Sequence, residues 1–422
     1  MVTGGESTAS RRVAAVASLV ALMVSAAPSL GAGTAAAQKP RARKVTALSG
    51  YMSTPAKRPF SDALAKSLAV PAGFEVSVFA SGLGAPRMLA VGDDGTVYVT
   101  RRDSGDVLAL RDGDGDGRAD GAPRKVVSSL PQVHGIHVQG SRLYLATVKE
   151  VFVTDLRPDG SAADPRMIIG DLPDGGQHPN RTLAVGPDGM LYVSIGSDCN
   201  ACVETNDEHA TILRAKPDGS ERGVFARGLR NTVGWGWHPE THELWGMDQG
   251  SDWRGNDAPP EELNMIQGGA HYGWPFCYGD KVVDRLLASD PQGSTKEDLC
   301  PRTAGAVLSY QAHSAPIQMA FYAGSQFPAE YRSDAFVAMR GSWNREPPTG
   351  YKVVRVHFQS GKPVRFSDFL SGFLSADRQS YSARLAGVAV ARDGAVLVSD
   401  DTNGAIYRVA YTGKTPAGKS GQ

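Results

Sequence analysis

One short unit recurs along this chain and limits the folds open to it. Val91–Thr100 (VGDDGTVYVT), Val185–Ser194 (VGPDGMLYVS) and Val390–Ser399 (VARDGAVLVS) each read as a strand, an Asp-Gly turn and a second strand. Asp-Gly supplies the positive φ that a tight hairpin needs, and the alternation after it marks a half-buried strand. Degenerate copies stand at Val138–Thr147, Trp237–Met247 and Phe327–Met339. Six units at intervals of about 45 to 90 residues, the longer ones carrying insertions, predict propeller blades of four short strands each. A pair of β-sandwiches has no reason to repeat one hairpin six times. The expected fold class is all-β, a six-bladed β-propeller with four-stranded antiparallel blades. Radial sheets leave a central channel whose mouth collects loops from every blade, so a ligand there is touched by residues far apart in sequence.

The 422 residues would serve two average domains or one large all-β domain, and 49 Gly and 26 Pro, which imply many turns, favour one. That domain is expected over 71–411, followed by a tail at 412–422. Lys+Arg and Asp+Glu balance at 44 each, which argues against electrostatic capture of nucleic acid. Arg11-Arg12 precede an apolar run, Val13 to Ala27, of signal-peptide length and too short to span a bilayer. Ala35-Ala36-Ala37 fits a small-residue cleavage site, so 1–37 is expected to be a signal peptide for the general or the twin-arginine route. Residues 38–70 are basic and Ala/Pro-bearing, an expected linker wrapping loosely around the domain. No cysteine follows the apolar run to carry a lipid anchor, and no later stretch is apolar enough to cross a membrane. A periplasmic or secreted location follows.

Four cysteines in an exported chain read as two disulfides. Cys199 and Cys202 would close on themselves, or form a redox pair, in the loop after blade three, and Cys277 and Cys300 would pair around an insertion. Val203 stands where covalent haem attachment needs a histidine, and a four-cysteine zinc site is at odds with export.

The stretch from Gly228 to Pro275 carries most of the chemistry. Arg230 and Asn231 stand just before an aromatic strand, Gln249-Gly250-Ser251 form a loop after the next strand, and Glu262, Asn264 and Tyr272 crowd a Gly-rich turn. So many polar groups in the loops of a rigid scaffold mark a site. His178 follows a Gly-rich approach just before the third hairpin unit; His134 and His313 occupy comparable places in blades two and five, with His137 alternating after His134. Asp112, Asp114, Asp116 and Asp120 alternate with glycines as in the start of a calcium loop, expected between blades one and two as a structural site. Position twelve is Pro123, not the bidentate Glu of an EF-hand.

The order of these fragments, Arg230-Asn231, Gln249-Gly250, Glu262-Leu263-Asn264 and Tyr272-Gly273-Trp274-Pro275, resembles the pyrroloquinoline quinone (PQQ)-dependent glucose/sorbosone dehydrogenases. The resemblance extends from about Pro71 to Tyr411. It implies a six-bladed propeller that oxidises a sugar at a PQQ cofactor beside Ca²⁺. His178 would be the base and Arg230 the cation at the quinone oxygen, with Arg230, Asn231, Gln249, Arg345 (or Arg340) and Arg384 as cofactor contacts. Carbonyls of Gly250 and Ser251 would hold Ca²⁺, and Glu262 and Tyr272 a second metal. Two departures stand out: Ser251 replaces a proline, and Ala386 stands where glucose-oxidising relatives carry a second arginine after Arg384. The resemblance further implies a small sugar substrate and an external electron acceptor. PQQ enters only this way, since no Gly-x-Gly-x-x-Gly follows a strand to suggest a bound dinucleotide. Two other classes share the architecture: a metal-dependent sugar lactonase, which would put Glu, Asn and Asp before the hairpins where this chain has His and Arg, and a propeller that only binds.

Overall fold

The structure, a computed structural model, describes residues 50–173 and 175–414. The expected signal peptide, the first part of the linker and most of the tail lie outside the described residues. Six four-stranded antiparallel sheets follow one another as blades. Blade one runs from strand Leu89–Val91 to Arg124–Val127, blade two from Gly135–Gln139 to Arg166–Ile169, and blade three from Thr182–Val185 to Gly223–Arg227. Blade four runs from Thr232–Trp237 to Leu308–Tyr310 and blade five from Pro316–Phe321 to Lys362–Leu370. Blade six takes three strands from the C-terminal side, Leu385–Val390, Val396–Asp400 and Ala405–Tyr411, and its outer strand, Phe74–Ala80, from the N-terminal side. The first strand of each blade packs on the first strand of the next, and that of blade six on that of blade one, so the ring is closed.

The repeated units are the first hairpins of their blades. Val91 pairs with Val97, Val185 with Leu191 and Val390 with Val396. Gly95, Gly189 and Gly394 take φ of +86°, +73° and +90°, while the Asp94 and Asp188 carboxylates accept from the Thr96 and Met190 backbone N–H at 3.0 and 3.1 Å. Glycine thus takes the left-handed position and aspartate satisfies the donor it strands. Near the axis space is short. A Cβ on Gly387 of the sixth inner strand would stand 2.4 Å from the carbonyl oxygen of Arg87. Gln318 of the fifth inner strand bonds both the N–H and the C=O of Leu89 and the N–H of Val388, stitching three blades together.

The segment before the propeller is not a loose wrap. Ala56–Lys57 pairs with Ser380–Tyr381, and helix Asp62–Ser67, capped by Ser61, sets Ala65 into the core. Phe74, on the closing strand, meets Phe327, Phe369 and Tyr411 with ring centroids at 4.7, 5.4 and 5.1 Å. Among the described residues no helix is long and apolar enough to cross a membrane.

In such a blade the segment entering the first strand and the loop joining the second to the third lie on one face. His134, His178, Arg230, His313 and Arg384 are on entering segments, whereas Asn200, Gln249, Arg340 and Asn344 are on second-to-third loops. The topology gathers them.

Candidate active site

On that face, loops of blades three, four and five enclose a cavity of about 410 Å³ whose wall includes His178, Arg230, Gln249, Gly250, Glu261 and His313. The walls are placed by short polar tethers. The Ser197 hydroxyl donates to the carbonyl of Cys199 at 2.8 Å. Its only hydrogen is therefore spent, and toward His178 Nδ1, 2.8 Å away, it acts as an acceptor. The Ser197 carbonyl, also 2.8 Å from Nδ1, accepts as well. The ring proton consequently sits on Nδ1, and the lone pair is on Nε2, which bonds nothing among the described residues. Burial, and then the neighbouring Arg230 charge, hold this imidazole well below the usual histidine range, partly countered by the bond to Ser197. The ring is neutral at pH 7. Beneath it Gly196 leaves room, for a Cβ there would stand 2.6 Å from the His178 Cβ.

Arg230 is almost wholly buried, at 2% exposure. Its Nε donates to Asn200 O at 3.0 Å, Nη1 to Gln249 O at 3.2 Å, and Nη2 to Asn200 Oδ1 at 2.9 Å and Asp252 Oδ2 at 3.4 Å. A guanidinium has five N–H groups, so one on Nη1 stays open. Asn231 Nδ2 donates to Gln249 Oε1 at 3.0 Å, and Gln249 Nε2 to Pro316 O at 2.6 Å. Under this row lies Asp248, whose carboxylate accepts from the N–H of Arg230 and Asn231 and from the Thr232 hydroxyl at 2.9, 2.8 and 2.7 Å. Burial raises its pKa to about 6 against those bonds.

Two further buried carboxylates flank the Gln249–Ser251 turn. Glu261 accepts from the N–H of Gly250 at 3.2 Å and of Ala315 at 2.9 Å, and burial pushes it up to about 8. Glu262 faces a void of about 10 Å³, room for about one water or ion, shared with Asp248, Ser251 and Tyr272. Burial, then the Asp248 charge, raise Glu262 to about 8. The Tyr272 hydroxyl is occupied by Met265 O and the Gln267 N–H, which leaves its peptide oxygen as what it has to offer a metal. Among the described residues nothing donates to the carbonyl oxygens of Gly250 or Ser251. Among the described residues, two polar atoms of the cavity residues, Trp253 Nε1 and Asn344 Oδ1, are buried without a partner. A buried polar atom of this kind calls for a water, an ion or a ligand as its partner.

Around the channel mouth, blades five, six and one contribute a cationic cluster. Asp401 Oδ2 accepts from Arg87 at 2.7 Å and from Arg340 at 2.6 Å. Arg384 donates to Gly341 O at 2.7 Å and lies over the Tyr351 ring. Burial, then Arg340, lower both Arg87, to about 10, and Arg384. Arg87 and Arg340 share the Asp401 carboxylate, and the Arg384 guanidinium, close enough to feel Arg340, holds a carbonyl instead.

Other candidate residues sit elsewhere. Arg345 is tied to Asn256 O and Asp257 of the neighbouring loop and is not part of the cavity wall. His134 is fully buried on the Arg181 carbonyl at 3.0 Å, and His137 lies beside Tyr144. His313 Nε2 donates to Gly255 O, 2.8 Å away, and lines the cavity. Asp112, Asp114 and Asp116 bring their carboxylates within 4.8 Å of one another. Their loop joins the third and fourth strands of blade one, on the face away from the cavity, and not blades one and two. Asp112 accepts from Gly115 and Gly117 N–H, and Asp120 from Gly113 N–H, so the acids hold their own turn. Cys199–Cys202 and Cys277–Cys300 are the disulfides. The first lies within blade three, after its second strand. Asn200 and the pair Arg87–Asp401 had no signal of their own in the sequence.

A protein of Borreliella burgdorferi is 28% identical over 370 residues, covering 83% of this chain and 93% of the relative. The pyrroloquinoline quinone-dependent pyranose dehydrogenase of Coprinopsis cinerea is 26% identical over 405 residues, 79% of this chain and 53% of the relative, so the chain spans about half of that enzyme. The holo form of the PQQ domain of a Coprinopsis cinerea pyranose dehydrogenase superposes with a TM-score of 0.69 at 23% identity, over 85% of this chain and 98% of the domain. A calcium structure of a Trichoderma reesei family AA12 protein gives 0.69 at 21%, over 82% and 97%. At these identities the solved structures speak for the propeller itself. The TrAA12-like family model matches residues 68–412, and the chain belongs to that family.

Proposed function

We propose that this protein is an exported, PQQ-dependent dehydrogenase that oxidises a sugar at the cavity between blades three, four and five. The observation that carries the reading is His178, held with its proton on Nδ1 and a free lone pair on Nε2 in a wall shared with Arg230 and Gln249. The named activity of the Coprinopsis relative points the same way.

The residues present fit a planar, tricarboxylate orthoquinone. Arg87 and Arg340 on Asp401, with Arg384 beside them on the Gly341 carbonyl, suit carboxylates, and Arg230 Nη1 has an N–H to give. The unpartnered Trp253 Nε1 and Asn344 Oδ1 ask for a polar ligand. The uncommitted carbonyls of Gly250 and Ser251 suit a hard cation such as Ca²⁺. PQQ, when bound, supplies the quinone that takes hydride from the sugar carbon. His178 Nε2 accepts the proton of the hydroxyl on that carbon, and its neutrality at pH 7 keeps it ready. Arg230, fixed by Asn200 and Gln249, sets a preorganised positive charge where negative charge grows. An external acceptor then collects the electrons.

The test is dye reduction by the PQQ- and Ca²⁺-loaded protein across aldoses and sorbosone, with His178→Ala beside it. Sugar-dependent reduction that falls by about a hundredfold to ten-thousandfold in the variant supports the reading. Cofactor uptake with equal turnover in both proteins removes His178 as the base.

A further inference from the structure

Both reactive-site side chains just described lean on one short loop of blade three, residues 197–202. Ser197 receives His178 Nδ1 on its carbonyl and on its hydroxyl, both at 2.8 Å, and its own N–H donates to Arg230 O at 2.7 Å. That hydroxyl is aimed by Cys199 O at 2.8 Å. Three residues after Ser197, Asn200 takes Arg230 Nε on its carbonyl at 3.0 Å and Arg230 Nη2 on Oδ1 at 2.9 Å. The same Oδ1 accepts from Asp252 N at 2.8 Å, while Nδ2 donates to Asp252 O at 3.2 Å. One more tether, Gln177 N to Asp198 O at 3.0 Å, ties the loop to the segment before His178.

The Cys199–Cys202 disulfide closes a ring around Asn200 and Ala201, and both its cysteines are buried. Fixing one backbone residue costs roughly 1–2 kcal/mol of conformational entropy in an open chain. A covalent ring removes most of that freedom before any ligand arrives, so the acceptors that aim Arg230 and His178 stand ready. A disulfide meant only to staple the fold would have no need to enclose the very residue that grips the buried guanidinium.

We propose that the Cys199–Cys202 ring is a positioning device for the cofactor site, with Asn200 the positioning residue for Arg230 and Ser197 the one for His178. The inference rests on reading the cavity as a dehydrogenase site, and it goes beyond that reading by assigning the aim of both groups to a disulfide loop.

Three variants test it: Asn200→Ala, Asn200→Asp and the pair Cys199→Ser/Cys202→Ser. Asn200→Ala is expected to raise the PQQ dissociation constant at least about tenfold, as loss of a charge-assisted bond does. Asn200→Asp keeps the oxygen that takes Arg230 Nη2 and is expected to restore binding to within about threefold of wild type. The serine pair is expected to match Asn200→Ala in affinity. In the ligand-free protein, nitrogen NMR should show His178 as the Nδ1–H tautomer in wild type and a tautomer mixture in the serine pair. The Arg230 Nη2 hydrogens should exchange at least about tenfold faster in Asn200→Ala, which removes their acceptor Oδ1, and the Nε–H in the serine pair, whose loop carbonyl is released. Wild-type affinity in Asn200→Ala, or unchanged tautomer and exchange in the serine pair, overturns the proposal. If wild type itself takes up no PQQ, the functional reading fails while the NMR and exchange data still decide the positioning claim. If the serine pair does not fold, Asn200→Ala and the Arg230 exchange decide it alone.

Discussion

His178 shows how much of an imidazole's chemistry is set by the atoms around it. A hydroxyl whose hydrogen is committed to Cys199 O fixes the tautomer, and burial beside Arg230 fixes the charge. A base is competent above its pKa, and this one lies well below 6.5, so the acidic limb of kcat/KM against pH is expected to fall below pH 6.5. A limb centred at 6.5 or above would contradict the environment described for this ring. The carboxylates lead to a prediction of opposite character. Burial and the Asp248 charge favour the protonated form of Glu262, so its stability contribution is present at low pH and declines as pH rises from the usual carboxylate range through about 8. A cation in the adjoining void would reverse that penalty. Ca²⁺ at a hundred times its dissociation constant is expected to stabilise the protein by about 2.7 kcal/mol at pH 8, read as a rise in Tm. Glu262→Gln should abolish the rise without lowering the Tm of the metal-free protein; a rise of equal size in the variant would place the ion elsewhere. His178 was legible from its Gly-rich approach and its place before a repeated hairpin. Asn200 and Asp401 were not, because their role depends on which loops meet: Asp401 finds Arg87 across 314 residues.

Among the elements, the Asp-Gly hairpins were readable because their chemistry is local. Glycine at positive φ and aspartate on the next N–H leave the same mark wherever the unit recurs. The outer strand of blade six carries no such mark. Phe74–Ala80 looks like any half-buried strand, and only the closed ring makes it the partner of Ala405–Tyr411. That closure depends on Phe74, wedged among rings of blades five and six. Phe74→Ala is expected to cost about 3–5 kcal/mol by chemical denaturation, and a loss under about 1 kcal/mol would mean the strand is not what holds the ring shut. The acidic Asp112–Asp120 loop teaches a different lesson. Its spacing suits a cation, and its carboxylates, three of them within 4.8 Å of one another, also accept from the turn's own N–H groups.

At the scale of the whole molecule, six blades place the segments before their first strands and the loops after their second strands on one face. Residues from five blades thereby meet around one channel mouth, which is why a sequence pattern of scattered Arg, Asn, Gln and His fragments pointed to a single site. What the pattern did not carry was the division of that mouth: His178 and Arg230 on blades three and four, and a guanidinium cluster on blades five, six and one. The central claim is that this divided mouth holds PQQ. Calorimetric titration of PQQ with Ca²⁺ into the mature protein tests it most directly, with Arg384→Gln alongside. The account predicts saturable binding of about one PQQ per chain, weakened at least about tenfold in the variant. No saturable uptake by the wild-type protein, or uptake indifferent to Arg384, would contradict it.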